Sequence, residues 1–203
     1  MRELRQALAD INAIRTQVAR ETQFRGYGPR SIAASGVLAF VVASGQSLWG
    51  KPHESDASEF LFVWVITAAL AAGLCAWETF IRTQRVHCGF SRQMIQAAIE
   101  QILPALVVGL MLTVVLVQSA PQVLWMLPGL WGLAFSLGVF ASCRFLPRPM
   151  FAVGLWYLAA GLACLTFESG ARELSPWSVG VPFGVGQLLV AGVLKHGYDD
   201  LDP

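Results

Sequence analysis

The sequence predicts an all-α fold, a polytopic membrane helical bundle of six transmembrane helices preceded by a cytoplasmic amphipathic helix. Three observations carry that prediction. The 203 residues are 55% hydrophobic and only 13% charged, too little polar surface for a fold that must face water on every side. The apolar residues fall into six runs of about the 17 to 25 residues that cross a bilayer. Twelve of the fourteen Lys and Arg residues flank one side of those runs, which fixes the direction of each crossing.

Residues 1–30 come first and are polar. Leu4, Ala7, Leu8, Ile11, Ile14 and Val18 recur at three- and four-residue steps, while Arg2, Arg5, Asp10, Arg15 and Arg20 occupy the opposite face. Such a helix is too polar to span. Its stripe of Leu4, Leu8, Ile11, Ile14 and Val18 suits docking, onto the inner leaflet or onto a partner helix. The Gly26-Tyr27-Gly28-Pro29 turn then breaks it.

The transmembrane domain covers 31–194, with spans at about 31–48, 60–81, 95–117, 123–143, 150–167 and 177–194, and a short tail at 195–203. The first run is read as a helix and not as a cleavable signal, because no small-residue cleavage site follows it. Arg2, Arg5, Arg15, Arg20, Arg25, Arg30, Arg82, Arg85, Arg92, Arg144, Arg148 and Lys195 lie on one side, against Lys51 and Arg172 on the other. The expectation is a multi-pass protein of a cell inner membrane with both termini cytoplasmic. Trp49, Trp64, Trp125 and Trp177 then fall at outer ends, and Trp77 nearer the inner one, where an indole favours the headgroup boundary. Trp131 and Trp156 fall nearer mid-membrane, as packing residues or as a pair of aromatics lining a pocket.

Helices in lipid associate through small residues spaced by a turn, and the chain supplies Ala68, Ala72 and Ala76, Ala134 and Gly138, and the G-x-x-x-G of Gly180 and Gly184. Pro104, Pro128 and Pro182 fall within spans three, four and six, where each removes a backbone donor and is expected to bend its helix. The similarity of 70–82 to 133–144 hints at a repeated hairpin.

Glu78 and Glu100 are the acidic residues inside the predicted spans. With Gln101 and Arg82 they compose a candidate proton or cation site near the inner boundary. The competing reading is structural, since Glu78 and Arg82 at i, i+4 permit a local ion pair. Lys51 and Lys195 both sit at or beyond span ends, which excludes a retinal Schiff base at mid-membrane. His53, His87 and His196 lie in loops or at a terminus, not where a bundle would hold haem. His53, Glu54, Asp56 and Glu59 read more readily as a solvated acidic loop than as a metal site, and Cys75, Cys88, Cys143 and Cys164 form no C-x-x-C. No cofactor, metal or nucleic-acid partner is expected.

The span layout, with Leu127-Pro128-Gly129-Leu130-Trp131, Gly154-Leu155-Trp156 and the Leu-Ala-Ala-Gly-Leu run at 158–162, resembles a group of polytopic bacterial inner-membrane proteins of similar length. The resemblance covers the span pattern and one short motif, and no function or site residue carries over from it. The expected partners are the lipid bilayer and a membrane-protein partner or further copies of the chain. The leading expectation is a non-enzymatic accessory or regulatory membrane subunit; the rival is a small transporter or channel for a proton, cation or small solute.

Overall fold

Each apolar run forms a helix because, in a medium without water, only an intrahelical ladder satisfies every backbone N–H and C=O. The computed structural model describes residues 29–49, 57–85, 89–143, 149–171 and 174–199, without the side chains at 82–85, 89–101, 169–171 and 197–199. The amino-terminal stripe and the loop of His53 lie outside the described residues. The helices are α1 (Pro29–Trp49), α2 (Ala57–Arg85), α3 (Gly89–Ser119), α4 (Leu127–Ser142), α5 (Met150–Ala171) and α6 (Pro176–Asp199). All six are long and apolar enough to cross a membrane, the fourth counted with the turn before it.

That turn is a finding of its own. Residues Pro121–Met126 form a 3-10 turn, and α4 begins only at Leu127, so Pro128 sits in the first helical turn. There its missing N–H costs nothing. Pro128 therefore starts a helix, where the sequence suggested a bend within one. Pro104 and Pro182 do lie inside α3 and α6.

Helices that touch closely run antiparallel. A Cβ at Gly36 of α1 would meet the Gly184 carbonyl at 2.9 Å, and one at Gly180 would collide with Ala43, so the backbones of α1 and α6 touch. Gly184 likewise lies under the Phe40 ring. The G-x-x-x-G of α6 is thus consumed inside the chain. On α4, Gly129 and Gly132 face Gly161 of α5, and Gly138 faces Ala105 of α3. Ala134 is buried on the same helix.

Helices α4, α5 and α6 pack on one another, α1 packs most extensively on α6, α2 flanks α1, and α3 flanks α4. Among the described residues α2 and α3, although consecutive, share no extended interface. Two buried clusters fill the bundle. At the Pro121 end Ala39, Ala43, Phe60, Leu61, Trp64, Leu124, Leu127 and Val179 pack together. At the Arg30 end the cluster is Ile32, Val139, Met150, Val153, Tyr157, Ala191 and Leu194. The rings of Phe135, Tyr157 and Phe183 meet at 4.7 to 5.5 Å in tilted and edge-on pairs and tie α4, α5 and α6 together. Gly186 gives the Tyr157 phenol its space.

Seven hydroxyls are satisfied within their own helix. Ser35, Ser44, Thr67, Thr113, Ser136, Ser142 and Thr166 each donate to a carbonyl three or four residues earlier, which lets a polar side chain sit in an apolar bundle.

Candidate functional site

Glu78 projects from the last third of α2 to the start of α1, where its Oε2 accepts a hydrogen bond of 3.0 Å from the Ser31 backbone N–H. The first N–H groups of a helix have no intrahelical partner and carry the positive end of its dipole, so a carboxylate is well suited there. Cys75, one turn earlier on α2, hydrogen-bonds with the Ser31 side chain. Glu78, Cys75 and Ser31 thus fasten two helices at the Arg30 end. Of the rest of the candidate proton site, the side chains of Arg82, Glu100 and Gln101 lie outside the described residues.

Trp131 and Trp156, the two tryptophans expected nearer mid-membrane, are each held by an indole hydrogen bond, in different parts of the bundle. Trp131 Nε1 donates to Thr113 Oγ1 at 2.9 Å, joining α4 to α3, and its ring packs against the Pro121-end cluster. Trp156 Nε1 donates to the Pro182 carbonyl at 3.0 Å, joining α5 to α6 beside the other cluster.

Pro182 also explains a cysteine. Having no N–H, it leaves the carbonyl of Ser178, four residues earlier, without its helical donor. The Cys164 thiol donates to that carbonyl, with sulfur and oxygen 3.4 Å apart. The proline and the cysteine belong to one device on two helices. Cys75, Cys143 and Cys164 are all unpaired as thiols.

The tryptophans expected at the membrane boundaries differ in burial. Trp64 is buried in the Pro121-end cluster with its indole N–H unpaired, and Gln46 Oε1 and Glu168 Oε2 are buried and unpaired as well. No contact among the described residues accounts for these three atoms. Trp49, Trp77 and Trp177 are exposed. Among the described residues no group of three His, Cys, Asp or Glu side chains could hold a metal ion.

The most informative surface is the bare face of α2. Ala68, Ala72 and Ala76 are exposed, together with Ala69 and Gly73. Large apolar residues flank them, Leu70 at 59% exposure and Trp77 at 67% among them. The bare face of α3 is built differently, from Leu103, Leu106, Val107, Val108, Leu110, Met111, Val114 and Val115. Bulky branched residues suit lipid tails, whereas small residues at one-turn spacing let another helix backbone approach.

The chain contains its own control for that distinction. Residues 70–74 of α2 and 158–162 of α5 are the same pentapeptide, Leu-Ala-Ala-Gly-Leu. In α5 its glycine, Gly161, is buried, with a would-be Cβ 2.9 Å from the Gly129 carbonyl and 3.0 Å from the Leu133 N. In α2 the equivalent glycine, Gly73, has nothing within 4 Å.

Six bilayer-length helices, antiparallel and joined by small-residue contacts, define a multi-pass integral membrane protein. No known protein family, curated protein or solved structure matches the chain.

Proposed function

We propose that the protein is a non-enzymatic accessory or regulatory subunit of a bacterial inner membrane, with both termini cytoplasmic, and that α2 is the helix on which it holds a partner's transmembrane helix. The observation that carries this reading is the pentapeptide used twice. At 158–162 it seats a helix backbone to backbone, and at 70–74 the same surface is open. The occupant is a transmembrane helix of another membrane protein that presents small residues of its own, which lets the two backbones close over the floor made by Ala68, Ala72, Gly73 and Ala76. The amino-terminal stripe supplies a second point of attachment on the cytoplasmic side.

A transport role through Glu78 and Glu100 has less support, because the Glu78 carboxylate is engaged by the Ser31 N–H at the junction of two helices. A residue that caps a helix has a structural reason to be there.

Gly73→Leu tests the reading. The tagged protein is purified from its native membrane in mild detergent, and co-purifying chains are identified and quantified by mass spectrometry. A different membrane protein is expected at fixed ratio with the unaltered chain, and is expected to be lost with Gly73→Leu while the helical content stays constant. Retention of that partner by Gly73→Leu, or recovery of the chain only with further copies of itself, refutes the accessory reading.

A further inference from the structure

A groove of about 780 Å³ lies at the Arg30 end, between the first turns of α1 and the last turns of α6. Its floor is Ala33, Leu188, Ala191 and Gly192, and Arg30 and Lys195 stand in its lining with their side chains exposed. Among the described residues, no acidic side chain lines it. Glu78, one residue along from Arg30 in its contact with α1, has an oxygen on the Ser31 N–H and stays outside the groove.

This combination of an apolar floor and a cationic rim at one end of a membrane bundle has the polarity of a phospholipid. We propose that the groove holds one anionic glycerophospholipid, its phosphate between Arg30 and Lys195 and the first part of an acyl chain along Ala33, Leu188, Ala191 and Gly192. A guanidinium grips a phosphate through paired N–H donors, and an ammonium adds a point charge. Basic pockets between transmembrane helices at a membrane surface are suited to anionic headgroups. A zwitterionic headgroup brings its own cation and gains less from two more. A free phosphate ion would leave the apolar floor unused, and that floor is most of the lining. Gly192 matters most there, because a Cβ added at this position meets nothing within 4 Å, so the space beside it is open to a chain of methylenes. The assignment needs only that Arg30 and Lys195 share one membrane surface, and is independent of the partner docking on α2.

The test is native mass spectrometry of the full chain in mild detergent, titrated with phosphatidylglycerol, with phosphatidylcholine, and with phosphatidylglycerol in the presence of inorganic phosphate. One phosphatidylglycerol is expected to stay bound in preference to phosphatidylcholine, and millimolar phosphate is expected not to displace it. With each basic side chain contributing on the order of 1 kcal/mol at an anionic surface, R30Q/K195Q should bind it roughly 30-fold more weakly. Gly192→Leu keeps both cations and fills the open space, and should also lose the lipid. All three positions are exposed, so these variants are expected to keep the circular dichroism of the unaltered protein. Equal retention of the two lipids, undiminished binding by R30Q/K195Q or Gly192→Leu, or displacement by inorganic phosphate overturns the proposal.

Discussion

Alanine placed at each of the two pentapeptide glycines should have opposite effects on the stability of the bundle. At Gly161 the new Cβ would stand 2.9 Å from the Gly129 carbonyl, 3.0 Å from the Leu133 N and 3.3 Å from the Gly132 carbonyl carbon, whereas ordinary contact begins at 3.4 Å. All three atoms are backbone, so none can turn aside. Helix α5 must therefore withdraw from α4 by about half an ångström, loosening the aromatic cluster that Tyr157 forms with Phe135 and Phe183. Overpacking of this kind costs about 1–3 kcal/mol, partly offset by the gain of up to about 1 kcal/mol when alanine replaces a helical glycine. At Gly73 the offset acts alone, since the Cβ meets nothing. The two variants should differ by about 2 kcal/mol, Gly161→Ala less stable than the unaltered protein and Gly73→Ala equal to it or slightly more stable. Reversible unfolding in mixed micelles of mild detergent and dodecyl sulfate, followed by circular dichroism, measures the difference. Equal midpoints for the two variants would refute the reasoning that the same five residues are packed in α5 and bare in α2.

Six further substitutions probe three polar contacts between helices. Cys164→Ala should cost about 1 kcal/mol in the same unfolding assay by leaving the Ser178 carbonyl without a donor, and Cys164→Ser should recover most of it; equal losses would mean that the thiol serves only to fill space. Trp131→Phe and Thr113→Val should be non-additive by about 0.5 kcal/mol, because each removes the same hydrogen bond; strict additivity would dissociate the two. Glu78→Ala should destabilise the bundle by about 1 kcal/mol and Glu78→Gln by less, since an amide oxygen still accepts from the Ser31 N–H; a larger loss for Gln than for Ala would show that the contact is not a helix cap.

Hydropathy alone located all six helices, because in lipid the apolar run and the hydrogen-bonded helix are the same constraint. What it could not give was the partner of each surface. Ala68, Ala72 and Ala76 have the spacing of a packing stripe as surely as Gly180 and Gly184 do, yet the first set is bare and the second is covered by α1. Periodicity says that a face can pack, and the position of the other helices says whether it does. Cys164 was equally opaque, because its role depends on a proline in the next helix; a cysteine facing the carbonyl four residues before an intrahelical proline is the signal that could have found it. Glu78 was legible as an intramembrane carboxylate, but its partner is a backbone amide, which no side-chain pattern announces. The groove at the Arg30 end joins the two ends of the domain, so Arg30 and Lys195 become neighbours only once the bundle is assembled.

The contact of α1 with α6 has a consequence for the order of events during synthesis. Among the described residues the most extensive interface joins α1 to α6. Gly36 leaves the ribosome roughly 150 residues ahead of Gly184, an interval on the order of ten seconds at about 5–20 residues per second. Throughout that interval the small-residue face of α1 is unclaimed by its final neighbour. Helix α6 therefore acts as a latch, and a chain that stalls before it should present quality control with α1 to α5 inserted and an open seam.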